Sequence, residues 1–161
     1  AKSVGIAKGT FYNFFDSKGA LVCSIIDDYD KKAYDRIYEQ LGSDKKMPAA
    51  DFYKIYSSLF TPENTFICHI DAGDIEWMKQ DSSTKVYFES ERAKKITAFL
   101  LGFIEGVRDD IDLGYVANTV KTINLIIENR ELFCTESIDK NINFLLEHLL
   151  LYITGNEDIK R

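Results

Sequence analysis

A chain of 161 residues, 45% of them hydrophobic, can bury a core of its own and still hold part of a second small unit. Two prolines, nine glycines and few turn clusters favour helix and argue against an all-β or disordered chain. The net charge of −6 excludes a uniformly basic nucleic-acid coat. Residues 1–22 nevertheless carry Lys2, Lys8 and Lys18 against Asp16 alone, which places a small positive patch on an acidic body.

The first run, from Val4 to Leu21, reads as the end of one helix, a glycine turn, a short helix and the capped start of a longer one. Gly5 can take the left-handed backbone of a tight interhelical turn, and Val4 and Ile6 beside it can pin both helices to a shared core. Phe11 and Phe15 are four apart, so they share one helical face and pack inward. Lys8, Thr10, Tyr12 and Asn13 fill other faces, where such side chains reach phosphates and base edges. Asp16 or Ser17 can cap the next helix. Lys18 then lies in its first turn, where a cation opposes the helix dipole and makes more sense beside a phosphate.

This arrangement resembles the second half of the helix-turn-helix of the TetR family of transcriptional regulators. The family pattern is roughly Ala-Gly-Val-Ser-Lys-Gly-Thr-Phe-Tyr-x-Tyr-Phe-x-Ser-Lys-x-x-Leu. Gly5, Lys8, Gly9, Thr10, Phe11, Tyr12, Phe15, Ser17, Lys18 and Leu21 fall on it in register. The resemblance implies that Tyr12 and Lys18 hold phosphates of a double-stranded DNA operator, while Lys8, Gly9, Thr10 and Asn13 approach its bases. Phe14 departs from the pattern, where Tyr or His is common, and it has no polar tip to bond a phosphate. The chain begins only four residues before the turn, without Met, so the first helix and most of the second are expected to lie outside this sequence.

From Ser17 to about Leu41 the spacing predicts one long helix, ended by Gly42-Ser43-Asp44. By resemblance it joins a DNA-binding head, residues 1–41 together with this helix, to a body of residues 42–161 that binds an effector and dimerises. Pro48 to about Phe60 reads as a helix with Phe52, Ile55, Tyr56 and Leu59 as its stripe. Thr61-Pro62-Glu63 marks a short helix, and the pattern weakens across Asp71–Asp81. A long helix is expected over 83–108, with Ile96, Phe99, Leu100, Phe103, Ile104 and Val107 as its stripe. Two more follow, over about 114–130 behind an Asp112 cap, and over about 136–154. The fold class is therefore all-α.

The last two helices are more apolar than the surface of a monomer this size needs, which leaves one face for a partner. TetR-like proteins dimerise through their last two helices, and a two-fold dimer matches two half-sites on DNA. On this reading Val116, Val120, Ile123, Ile127, Ile138, Ile142, Leu145 and Leu149 form a homodimer interface. The alternative is that both faces are buried within one subunit.

TetR-like bodies usually enclose a small-molecule pocket. Phe52, Tyr56, Trp77, Tyr87, Phe99 and Phe103 are the aromatics that could line one, with plain core as the alternative. Trp77 stands foremost, because Asp74 and Glu76 beside it suit a polar pocket mouth. So many aromatics with so few basic residues point to a flat apolar or cationic effector.

Other chemistries find little footing. Cys23, Cys68 and Cys134 are odd in number and scattered, which fits neither a disulfide framework nor a zinc site and suits a reducing cytoplasm. Cys68 and His69 are adjacent, so on a helix they point apart, and no metal or cofactor is expected. No nucleophile elbow, phosphate loop or dinucleotide fingerprint is present, and no enzyme is expected. The apolar run ending at Ile153 is interrupted by Glu147 and His148 and is too short for a bilayer. The sequence thus reads as a ligand-responsive repressor. Its rivals are a helical ligand-binding or protein-interaction module without DNA binding, and a small helical enzyme.

Overall fold

A computed structural model describes residues 13–41 and 46–155. Gly5, Lys8, Gly9, Thr10, Tyr12 and the Gly42-Ser43-Asp44 turn lie outside the described residues. The described residues are helical, and their only β-type pairing is an isolated bridge between Met47 and Ile104.

The first helix among the described residues, α1, spans Lys18–Leu41. Ser17 caps it, its Oγ accepting the Ala20 N–H at 3.0 Å. The second, α2, spans Ala49–Ser57, with Pro48 just ahead of it and Asp51 in its first turn, both favourable at a helix start. Two single 3-10 turns follow, Pro62–Asn64 and Phe66–His69, where the sequence marks a short helix.

Helix α3, Ala72–Gln80, arises where the apolar pattern fades. It starts because the Asp71 carboxylate accepts the Asp74 N–H at 2.8 Å. It buries Met78 alone, so it carries no apolar stripe to read.

The long helix expected over 83–108 is broken at both ends. A 3-10 turn occupies Lys85–Phe88, and α4 spans only Ser90–Leu101. Beyond it the chain turns to pair with the strand-like residue Met47. The Met47 N–H donates to the Phe103 carbonyl at 2.8 Å, and the Glu105 N–H to the Met47 carbonyl at 2.9 Å. Gly106 then takes φ +70°, a left-handed turn that glycine tolerates. Phe103, Ile104 and Val107 keep helical spacing in sequence but reach the core from this bent segment.

Helix α5 spans Leu113–Glu128 and is capped by Asp112, which accepts the Gly114 and Tyr115 N–H groups at 2.8 and 3.1 Å. Helix α6 spans Ile138–Thr154 and ends at Gly155 with φ +65°. The α4 and α6 helices both pack on α5, and α6 also packs on α2.

Two clusters make the core. One joins Ile37 and Leu41 of α1 to Met47, Phe52, Ile104, Val116, Leu149, Leu150 and Ile153. The other joins Ile123 and Ile127 of α5 to Ile138, Ile142 and Leu146 of α6. The lower half of α1 is therefore part of the same core as the last helix. No helix among the described residues is long and apolar enough to cross a membrane.

Candidate functional site

The upper half of α1 is held differently from the lower half. From Lys18 to Asp30 it is bound by polar rungs to the segment from α3 to α4. The Lys18 ammonium pairs with the Asp74 carboxylate and lies 4.1 Å from the centre of the Trp77 ring. One position on, a Cβ at Gly19 would stand 2.8 Å from Asp81 Oδ1 and 3.2 Å from the Ser83 Cβ, so only glycine permits this approach. The Cys23 thiol donates to the Ser83 carbonyl at 3.6 Å. The Tyr87 hydroxyl donates to Asp27, and Arg92 pairs with Asp30 at 2.9 Å while lying over the Tyr87 ring. Burial, with the bond to Asp27, pushes the Tyr87 pKa well above its ordinary value.

Further down, the rungs become aromatic. Tyr34 meets Phe99 edge-on at 5.3 Å, and Tyr38 meets Phe103 at 5.4 Å. Both series rise together, 18 to 38 against 74 to 103, so α1 runs parallel to the segment it docks on. Each polar rung contributes on the order of 1 kcal/mol or less at this exposure, and between the rungs the upper half buries one apolar side chain, Ile26.

The body contains a narrow cavity of about 40 Å³ between α2, α4, α5 and α6. Its wall includes Phe52, Tyr56, Ser57, Thr97, Leu101 and Leu146, and none of its lining residues is charged. Phe52 and Tyr56 stack at 5.1 Å. Burial pushes the Tyr56 hydroxyl pKa up strongly, which keeps it neutral. A separate polar groove of about 430 Å³ lies beside α1, lined by Tyr29, Lys32, Arg36, Glu39, Leu59 and Glu63 among others. Among the described residues no three His, Cys, Asp or Glu side chains gather as a metal set.

Against this geometry the sequence expectations divide. Of the residues assigned to DNA, Asn13 and Lys18 are described, and both are exposed, Asn13 in a turn ahead of α1 and Lys18 in its first turn. Lys8, Gly9, Thr10 and Tyr12 lie outside the described residues. Of the six pocket aromatics, Phe52 and Tyr56 line the cavity. Trp77, Tyr87, Phe99 and Phe103 are not among its lining residues; they stand in the seam with α1. The cation that Trp77 attracts is the protein's own Lys18. The reason is periodicity, which shows that an aromatic is buried but not whether its neighbour is a cavity or a helix.

The residues assigned to a dimer interface lie inward in this chain. Val116, Ile123, Ile127, Ile138, Ile142 and Leu149 are buried inside this one chain, and Val120 and Leu145 pack half-buried against the same clusters. The large hydrophobic side chains that α5 and α6 leave outside are Tyr115, Leu125 and Phe144, with Leu132 and Phe133 on the turn between them. Sequence reading missed Thr97, Asp27, Asp30 and Arg92. The first is a lone polar residue in an apolar stripe, and the charged ones look like any solvated helix face.

Comparison with protein-family models, with curated proteins and with solved structures finds no match for this chain.

Proposed function

We propose that this protein is a TetR-like transcriptional regulator, a ligand-responsive repressor that binds a palindromic operator as a homodimer in the cytoplasm. One observation carries the reading: ten residues from Gly5 to Leu21 stand in register with the TetR helix-turn-helix pattern. The all-helical body supports it, as does a long helix that starts at Lys18 behind a Ser17 cap, where the pattern asks for one.

In this reading Tyr12 and Lys18 hold phosphates and fix the register on the duplex, while Lys8, Gly9, Thr10 and Asn13 approach base edges. The cavity around Phe52, Tyr56 and Thr97 is the effector site. Its uncharged wall suits an apolar effector with a hydroxyl or carbonyl group, not an ion. At about 40 Å³ it is far smaller than the roughly 300 Å³ and upward of a typical ligand site. An effector must therefore force α4 from α6, and it favours the conformation in which this repacking is already made. Leu101 and Ile104 line the cavity at the end of α4, and Tyr38 packs on Phe103 between them, so that repacking is felt by α1. The homodimer uses the outward residues Leu125 and Phe144.

The test titrates the full-length protein onto DNA from upstream of its own gene and onto scrambled DNA, at two salt concentrations. A specific regulator prefers the former by on the order of a thousandfold and binds less tightly at higher salt. Equal affinity for both, repeated with a genome-wide DNA library, would remove the reading in favour of a helical module that does not bind DNA.

A further inference from the structure

The Lys18 ammonium faces two kinds of anion. The TetR resemblance gives it to a DNA phosphate, whereas the structure gives it to Asp74 and the face of Trp77. We propose that this contact is autoinhibitory: α3 holds the Lys18 ammonium against the body and competes with the operator phosphate for it. The proposal rests on the regulator reading above and adds a control to it.

Local structure places both partners firmly. Lys18 is in the first turn of α1, fixed by the Ser17 cap, and its cation is disfavoured there by the helix dipole. Asp74 is in the first turn of α3, fixed by the Asp71 cap, and its anion is favoured there. Two helix starts thus meet at one ion pair, and Asp74 supplies the negative charge that the start of α1 needs.

A phosphate within ion-pair reach of the same ammonium comes close to the Asp74 carboxylate, and the two negative charges repel. The Trp77 ring occupies a further side of the ammonium. The Lys18 side chain keeps 53% of its exposure, so DNA can take it by a swing of the side chain, without unfolding the seam. Separating Lys18 from Asp74 and Trp77 costs free energy, and DNA binding is weakened by that amount. Any event that shifts α3 away from α1 removes that cost.

The test compares operator affinity for the wild type, Asp74→Asn, Lys18→Ala and the double variant in the full-length protein. Glu76→Gln is the control, since it removes one negative charge from α3 without touching Lys18; Glu76 pairs with Lys79 and Gln80 instead. Asp74→Asn is expected to tighten binding by about three- to fivefold, the most that an exposed pair of this kind can hold back. Lys18→Ala weakens binding, the double variant matches Lys18→Ala, and Glu76→Gln stays within about twofold of the wild type.

Trp77 is the single tryptophan of the chain, so its emission gives a second readout. Emission is expected to change as DNA is added, with the midpoint of binding, and not to change in Lys18→Ala. Unchanged or weaker binding by Asp74→Asn, beside specific binding by the wild type, overturns the autoinhibition and leaves the regulator reading standing. Specific binding by Asp74→Asn alone supports a strong form of it. No specific binding by either protein overturns both.

Discussion

The Tyr87 hydroxyl donates a 3.0 Å hydrogen bond to Asp27, tying the middle of α1 to the turn ahead of α4. Tyr87→Phe removes this rung and leaves the ring under Arg92. The expected loss is about 1 kcal/mol of stability. Hydrogen exchange should rise mainly in residues 18–30, because Ile37 and Leu41 anchor the rest of α1 in the core. A uniform rise along the whole helix would show that its two halves open together.

Gly19 approaches Asp81 where no larger residue fits. The Asp81 carboxylate cannot simply turn away, since its Oδ1 accepts from the Ser83 and Thr84 backbone N–H groups at 3.0 and 3.2 Å. Gly19→Ala gains up to about 1 kcal/mol in helix propensity. The clash is expected to outweigh that gain and give a net destabilisation on the order of 1 kcal/mol. Repeating Gly19→Ala in an Asp81→Ala background should shrink or reverse the effect in urea unfolding. The same loss in both backgrounds would mean that the contact with Asp81 is not the cause.

Ile123 and Leu125 are two residues apart and should behave as opposites. Ile123 is fully buried in the α5–α6 cluster, so Ile123→Ala is expected to lower stability by about 2–5 kcal/mol. Leu125 is 57% exposed, so Leu125→Asp should change the stability of a monomer by no more than about 0.5 kcal/mol. If α5 and α6 pair with a second copy, Leu125→Asp or Phe144→Asp instead lowers the mass seen by light scattering. A dimer that survives both substitutions would place its interface elsewhere.

Tyr56 links stability to pH at the alkaline end. Burial raises its pKa in the folded chain above the ordinary 10.0, so the folded state holds the phenolic proton more tightly than the unfolded state does. The stability associated with it is complete below about pH 10 and is lost as pH rises beyond that value. Urea unfolding at pH 9 and pH 11 should therefore show a larger drop for the wild type than for Tyr56→Phe. Equal drops would mean that the hydroxyl is solvated in the folded state.

Much of the frame was legible in the sequence. Ser17 and Asp112 announce helix starts through chemistry that acts within a few residues, and the structure uses both. Helices with a full apolar stripe, such as α5 and α6, follow directly from spacing. α3 escaped because its contacts are polar and its one buried residue is Met78. The stripe through Phe103 and Ile104 misled because pairing with Met47, far away in the chain, outcompetes helix there. Site residues were harder for the same reason. Whether Trp77 faces a ligand or Lys18 depends on a partner 59 positions away, and no local pattern carries that information.

The parallel seam also has a consequence for how the chain is made. Its rungs join residues 56, 60, 60 and 62 positions apart, from Lys18–Asp74 to Asp30–Arg92. On the ribosome α1 emerges long before the segment it docks on, and closing a loop of that length is a slow, entropically costly event. During that wait its upper half carries Lys18, Asp27 and Asp30 on the undocked face. Those charges stand among the apolar positions Leu21, Val22 and Ile26 of the same half and limit the wrong contacts that the waiting helix can make.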